Sequence, residues 1–489
     1  MKVITLISGG DTGGAKTHVH SLLQGLSSRI EVSMVCFTDG PFVQEARQLG
    51  IDTTVLAGHN LPRVLRQLEH KVRTEGYQII HCHGARGNLM GWLLKRRTGL
   101  PLISTVHSDY KLDYLGRPFS RLTYGTINAM ALRHMDYHVG VSDATVDMLI
   151  DRGFRPDHIF SIYNGLDFSP RTIALDRPAF FASCGLQADA DSIVVGIAAR
   201  LNPVKDIATL VRGFAKALKD KEQADGGDFA VVIAGDGEQR AELEDLTREL
   251  GLERVVCFAG WLTDVDSFYH AIDINTLTSL SETFPYALTE GARFHLATVS
   301  TAVGGIPYLI DQDVNGYLFQ PGDWQALGND LAALGNDDEL RRRLGEKLYE
   351  KASTQFSIQK TVSTQLQIYA SILRRHRRRS SARDGVVICG AYGRGNAGDD
   401  AILEAILQEM RSIDPDMPIT VLSKDPRSTR LTYRVRAVHR SNFLAWHAAM
   451  WNSRLYINGG GSGDEGEGGA SLGSTTARFQ PENEIRGIR

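Results

Sequence analysis

The chain has no apolar run long enough to cross a bilayer. Its first apolar stretch is short and runs into glycines, so no secretory leader is read at its start. Cysteine is sparse: Cys36, Cys82, Cys184, Cys257 and Cys389 are scattered and form no Cys-x-x-Cys. That spacing argues against a disulfide framework or structural zinc and for a reducing, cytoplasmic setting. Charge of one sign is also lacking, with a net of −3 over 489 residues. The 42% hydrophobic and 23% charged content suffices for ordinary cores, and the length is too great for one domain.

What is present is a series of short β-branched strands, each running into a glycine-rich or polar turn and then a helix. Val3 to Ile7 leads into Ser8-Gly9-Gly10-Asp11-Thr12-Gly13-Gly14-Ala15-Lys16-Thr17 and a helix to about Leu26. Glycines at such a turn let backbone approach a ligand closely. The turn almost spells a P-loop, but Ala15 separates Gly14 from Lys16, so the ATPase reading fails on spacing. Leu102 to Val106 delivers His107 at a strand end. His81 and His83 follow Ile79 and Ile80; two His at i and i+2 can share a metal, but no third ligand is evident, and a strand end near a cleft is preferred. Ile159 to Asp167 reads as a last strand and turn before an interdomain crossing.

Further on, Ile193 to Ala199 ends at Arg200, and Leu201-Asn202-Pro203-Val204 leads to Lys205 and a helix that Asp206 can cap. Arg and Lys presented together at a helix start suit an anion. Ser281-Glu282-Thr283-Phe284-Pro285-Tyr286-Ala287-Leu288-Thr289-Glu290 holds two carboxylates with seven residues between them. Pro285 suits the first helical turn, which sets Glu282 on the approach loop and Glu290 inside the helix. The free N–H groups of that helix start offer a phosphate seat between the two carboxylates. Asp189-Ala190-Asp191 and Asp264-Val265-Asp266 follow no apolar strand and read as loop or cap residues, not as a metal site.

These motifs, in this order over about residues 1–375, resemble the retaining glycosyltransferases of family 4 with the GT-B fold. The resemblance implies an α/β architecture of two Rossmann-like doubly wound domains facing a cleft. It implies that Arg200 and Lys205 hold the diphosphate of a nucleotide sugar and that Glu282 and His107 sit at the reacting sugar. Glu290 would bind the ribose hydroxyls, and Gly13 and Gly14 would lie against the diphosphate. Backbone amides around Phe284, Pro285 and Leu288 would contact sugar and phosphate. The family often carries Glu where this chain has Tyr308. No cofactor and no metal are expected, the nucleotide sugar being the donor substrate and a glycan or lipid-linked molecule the acceptor.

The helix Leu61 to Arg73 and Lys95-Arg96-Arg97 carry basic faces that suit an anionic membrane surface, or simply solvent. The Arg374-Arg375-His376-Arg377-Arg378-Arg379 cluster reads as a linker without support for nucleic-acid binding. After it, Tyr392, Gly393, Asn396, Gly398 and Asp399, with Gly459-Gly460-Gly461-Ser462, resemble the start of a polysaccharide pyruvyl transferase. Gly393, Gly395 and Gly398 also spell a dinucleotide fingerprint, but no acidic residue ends the next strand. Residues 463–489 are polar and expected to be disordered. The expected organisation is an acceptor domain at 1–170, a nucleotide-sugar domain at 171–373, a basic linker at 374–384, a partial pyruvyl transferase-like domain at 385–462 and a tail at 463–489. The expected activity is retaining glycosyl transfer from a nucleotide-diphosphate sugar in cell-surface polysaccharide synthesis, in the cytoplasm or peripherally on the inner membrane face, with an inactive truncated third segment. A sugar-nucleotide epimerase of the same fold and a non-catalytic fusion fragment are the alternatives.

Overall fold

The computed structural model describes residues 1–10, 13–58, 60–109, 125–186, 188, 191–222, 229–378 and 383–459. Asp11, Thr12, the first two residues of Asp189-Ala190-Asp191, Gly460 to Ser462 and the tail lie outside these residues.

Three parallel sheets carry the chain. The first contains β1 (Lys2–Ile7), β2 (Glu31–Cys36), β3 (Thr53–Val55), β4 (Ile79–His83), β5 (Leu102–Val106), β6 (Tyr137–Gly140) and β7 (Ile159–Ser161), in the order β3-β2-β1-β4-β5-β6-β7. The second contains β8 (Ile193–Ala198), β9 (Phe229–Ala234), β10 (Val256–Gly260), β11 (Ile274–Leu277), β12 (Ala297–Thr301) and β13 (Tyr317–Phe319), in the order β10-β9-β8-β11-β12-β13. The third contains β14 (Val386–Cys389), β15 (Ile419–Ser423), β16 (Arg436–His439) and β17 (Leu455–Asn458), in the order β16-β15-β14-β17. Strands buried on both faces explain the continuous apolar runs. Each sheet reverses its order beside its first strand, between β1 and β4, β8 and β11, and β14 and β17. Ligands in such sheets bind beyond the carboxyl ends of the strands at these reversals.

The first two sheets are joined by two crossings lying side by side. Leu166 bridges Ser357, with backbone bonds of 3.0 Å from Leu166 N to Phe356 O and 2.8 Å from Ile358 N to Leu166 O. Gly165 permits this contact, because a Cβ there would stand 2.2 Å from Thr361 Oγ1. The helix Ile358–Arg378 follows the second sheet in sequence, yet its Val362, Ile368, Tyr369 and Ile372 belong to the core of the first. The return is close at Gly25, where a Cβ would meet Val362 Cγ2 at 2.5 Å.

The third sheet has its own core, with Val386, Ile388, Leu403, Leu407 and Val421 on one face and Val387, Leu422, Val438 and Ala449 on the other. It is clamped to the rest by the arginines of the basic cluster. Arg374 and Arg375 reach Asp416, and Arg378 reaches Asp414 at 2.6 Å. From the other side Arg427 pairs with Asp151 at 2.8 Å and Arg434 pairs with Asp147. The cluster read as a linker is therefore largely an interdomain clamp.

Candidate active site

The site is built at the reversal points of the first two sheets. In the second sheet, β8 ends in the loop leading to Lys205. Asn202 shapes that loop by accepting from Lys205 N at 3.2 Å, and Gly235 and Gly237 pack beneath it, where a Cβ would meet Ala199 O at 1.8 Å and Leu201 O at 2.2 Å. Asp206 follows with φ 45°, a left-handed turn, and its carboxylate accepts from the Thr209 hydroxyl at 2.7 Å. The loop is stitched to the end of β11 by Thr278 Oγ1 donating to Lys205 O at 2.9 Å and Leu280 N donating to Val204 O at 2.8 Å. This brings Lys205 Nζ onto Glu282 Oε1, which also accepts from Ser279 Oγ at 2.7 Å. Arg200 stands exposed at the start of the same loop.

The helix after Glu282 spans Tyr286–Arg293. Pro285 stands one place earlier than the sequence suggests, as the N-cap, and Phe294 is the C-cap. Its missing N–H is still harmless there, and the first-turn amides of Tyr286, Ala287 and Leu288 follow it. The Phe284 and Leu288 side chains are core residues, so only their backbone can serve a ligand. Glu290, one turn beyond Tyr286, lies 3.0 Å from the Tyr269 hydroxyl, and burial raises its pKa despite that bond. Asp264 caps the helix Val265–Ala271, and Asp266 pairs with Arg293, so that Asp-x-Asp triplet is structural. The Gly304-Gly305 turn is pressed against the Glu282 loop, with Gly305 N bonding Thr283 O at 2.8 Å. Tyr308 follows at the surface, its ring 6.1 Å from Tyr163.

The first domain meets this face directly. Gly13, with φ 69°, caps the helix Gly14–Ser27, and a Cβ on Gly14 would lie 3.6 Å from the Tyr286 ring. Lys16 turns away to Glu45 at 2.8 Å, which leaves no P-loop arrangement. Thr283 Oγ1 donates to His107 O at 2.7 Å. His107 Nε2 lies 2.9 Å from His83 Nδ1, so the two rings hold complementary tautomers. His81 does not act as a metal ligand, because both its nitrogens are engaged, by the Tyr369 hydroxyl at 2.6 Å and by Thr105 Oγ1 at 2.8 Å.

One site residue was not visible in the sequence. His18 packs edge-on against His107 with ring centroids 4.9 Å apart, and its Nδ1 lies 2.9 Å from Asn164 Oδ1. Asn164 in turn donates to Phe284 O at 2.8 Å, so it couples His18 to the start of the Glu290 helix. The available signal was spacing: His18 lies one helical turn after Gly14, on the same face. Burial lowers the pKa of His18 to about 4 and of His81 to about 3, and holds His83 and His107 well below the usual range. The cluster is neutral at pH 7.

On the basic faces of the first domain, several cations have acidic partners. Lys71 pairs with Glu75, Arg73 and Arg97 share Glu69, and Lys95 pairs with Asp136. No helix among the described residues is long and apolar enough to cross a membrane.

The chain is similar to known proteins over most of its length. Residues 12–169 match the model of Glycosyltransferase Family 4, residues 185–351 that of Glycosyl transferases group 1, and residues 396–482 that of Polysaccharide pyruvyl transferase. The last match runs past Ser462, where the motif resemblance ends. A D-inositol 3-phosphate glycosyltransferase of Saccharomonospora viridis is 27% identical over 321 residues, covering 61% of this chain and 72% of the relative. An N-acetyl-alpha-D-glucosaminyl L-malate synthase of Bacillus anthracis is 25% identical over 306 residues, covering 61% and 76%. The crystal structure of Anabaena HepE in complex with UDP-glucose superposes with a TM-score of 0.65 at 23% identity, covering 76% of this chain and all of that one. Two adjoining glycosyltransferase matches on two facing Rossmann-like sheets thus identify the chain as a glycosyltransferase of the GT-B fold.

Proposed function

We propose that the chain transfers a sugar, with retention at the anomeric carbon, from a nucleoside-diphosphate sugar to a glycan or lipid-linked acceptor in cell-surface polysaccharide synthesis. The observation that carries this is the Lys205–Glu282 pair at the mouth of the helix Tyr286–Arg293, directly against the first domain at His107. As the glycosidic bond to the diphosphate breaks, the sugar gains oxocarbenium character and negative charge grows on the leaving phosphate. Arg200, Lys205 and the first-turn amides after Pro285 are the groups proposed to stabilise that charge, in the part a divalent metal plays in other transferases. On binding, phosphate would take the place of Glu282 as the partner of Lys205, and freed Glu282 would turn to the hydroxyls of the donor sugar.

Glu290 is proposed to accept from the ribose hydroxyls, and His107, neutral, to orient the sugar from the opposite wall. The UDP-glucose in the HepE complex supports a nucleotide-sugar donor. The match of residues 396–482 to polysaccharide pyruvyl transferases supports the polysaccharide setting. We propose that this third unit is itself inactive. Its signature side chains are tied up in folding: Tyr392 is buried and donates to Gly459 O at 2.9 Å, and Asn396 caps its helix while bonding Asp399 at 2.8 Å.

The test is nucleotide release from a panel of UDP-, GDP- and ADP-sugars, with and without lipid-linked glycan extract, followed by the anomeric configuration of the product. Release from one donor, stimulated by extract, with the donor's configuration kept, is expected. An inverted product would overturn retention, and a free epimer made without acceptor would overturn transfer.

A further inference from the structure

The helix Phe443–Asn452 in the third unit has no charged residue on any face. Its Ala445, Trp446 and Ala449 pack on the sheet, which accounts for one side. On the other side Phe443 is 70%, Leu444 87% and Trp451 64% exposed, where a surface helix normally carries charge. A contiguous exposed apolar face of this kind marks an interaction surface.

The chain that carries it is basic, although Asp384, whose N–H bonds Asn452 O at 2.9 Å, stands at the helix end and Asp464, Glu465 and Glu467 follow in sequence. Residues 426–463 contain six arginines and no Asp or Glu. Arg427 and Arg434 clamp Asp151 and Asp147, while Arg436, Arg440 and Arg454 are exposed in the segments that precede and follow the apolar helix in sequence. Arg383 lies over the Trp451 ring at 5.3 Å, and a cavity of about 210 Å³ opens there, lined by Arg383, Trp446, His447, Met450 and Trp451.

We propose that this surface seats the protein on an anionic phospholipid bilayer. Phe443, Leu444 and Trp451 enter the boundary between headgroups and acyl chains, and Arg436, Arg440 and Arg454 lie on the phosphates. Tryptophan at the end of such a helix suits the interface, where its ring is half in hydrocarbon and half wet. A second copy of the chain fits less well, because a two-fold contact through this face would set the arginines against themselves. The surface is separate from the basic faces of the first domain, where Lys71, Arg73, Lys95 and Arg97 are paired with acids. The inference does not depend on which sugar is transferred.

The full chain should be sedimented with vesicles of phosphatidylcholine alone and with vesicles containing phosphatidylglycerol. The protein is expected in the pellet with the anionic vesicles and less so at high salt. The triple variant Phe443→Ser, Leu444→Ser, Trp451→Ser should bind at least about tenfold more weakly, from the loss of inserted apolar area. Arg436→Gln, Arg440→Gln, Arg454→Gln should weaken binding and flatten its salt dependence. The replaced side chains are exposed, so both variants should keep the wild-type melting temperature and release nucleotide from donor as the wild type does. A wild-type protein that stays in the supernatant would overturn the proposal, as would a serine variant that binds normally. A wild-type dimer by light scattering that the serine variant abolishes would assign the surface to a second copy instead.

Discussion

Thr283 donates its side-chain hydroxyl to the main-chain carbonyl of His107 at 2.7 Å, across the seam between the two glycosyltransferase domains. Each partner adjoins a residue of the proposed chemistry: Thr283 follows Glu282, and the carbonyl belongs to His107 itself. The bond therefore reports on closure. Such a hydrogen bond contributes about 0.5–1.5 kcal/mol net. Thr283→Val keeps the shape and removes the donor. We expect KM for donor to rise roughly 2- to 10-fold at a barely altered melting temperature, the same energy expressed as a smaller closed population. Thr283→Ser should restore the wild-type KM. Equal KM values for all three proteins would remove this bond from the closure step.

Lys205→Ala and Glu290→Ala test the donor site at its two ends. Lys205 is proposed to meet charge that grows in the transition state, so its loss should lower kcat by about 10²–10³. Glu290 is proposed to bind ribose in ground and transition states alike, so its loss should fall mainly on KM, by about 10- to 100-fold. Neither change should unfold the protein: Glu282 keeps the bond from Ser279 when Lys205 is lost, and Glu290→Ala removes a carboxylate that burial disfavours while leaving the Tyr269 hydroxyl its other acceptor, Ala287 O. Steady-state kinetics with nucleotide release as the readout separates the two. Near-normal turnover by Lys205→Ala would break the assignment.

Gly291→Ala should be costly although it is a helix-favouring change. A Cβ at Gly291 would lie 2.3 Å from Asn275 Nδ2 and 2.7 Å from Asn275 Cγ, and Asn275 is fully buried in β11. Asn275 cannot move without breaking its 3.1 Å bond to Ala287 O, which anchors the helix that carries Glu290. We expect a loss of about 1–3 kcal/mol in urea unfolding, with a raised KM for donor. A variant as stable as the wild type would mean that the helix shifts freely.

The same contact shows where sequence reasoning ran short. The strands rich in Val and Ile announce themselves, and so do the turns that carry Lys205, Glu282 and His107. β11 did not, because Asn275 and Thr276 give it a polar centre although both side chains are fully buried. The Asn275 amide N–H donates to Ala287 O and the Thr276 hydroxyl to Gly196 O, partners that exist only once the domain has folded. His18 was hidden for a similar reason: a histidine within an apolar helix face looks like core until Asn164 and His107 are seen beside it. The amphipathic pattern of Ile358–Arg378 says that the helix packs, but not that it packs on the first sheet. That destination is set by the paired crossings at Leu166 and Ser357. The third unit's strands were legible, whereas the clamping role of Arg374, Arg375 and Arg378 depended on Asp414 and Asp416, well over thirty residues away.

The histidine cluster makes stability depend on pH in a defined window. An unfolded histidine titrates near 6.5, whereas burial brings His18 down to about 4 and His81 to about 3 in the folded chain, and His138, buried apart from the cluster against Phe154, to about 4. His83 and His107 move the same way for the same reason. Between the folded and unfolded values the unfolded chain binds more protons, so protons pull the equilibrium toward it. Stability should be level above about pH 7 and should fall as pH drops from about 6.5 toward 4, each buried histidine adding up to about 1.4 kcal/mol per pH unit. The carboxylates held low by arginine, Asp416 among them, lose their contribution only at still lower pH. Urea unfolding at pH 7.5, 6 and 5 measures the slope. His18→Gln should reduce it by about one proton while leaving the plateau above pH 7 flat, because glutamine does not titrate. Identical midpoints at pH 7.5 and 5 would mean that these rings are solvated in the working protein. The cleft lined by His83 and His107 would then be wet, and the neutral His107 proposed to orient the donor sugar would be lost with it.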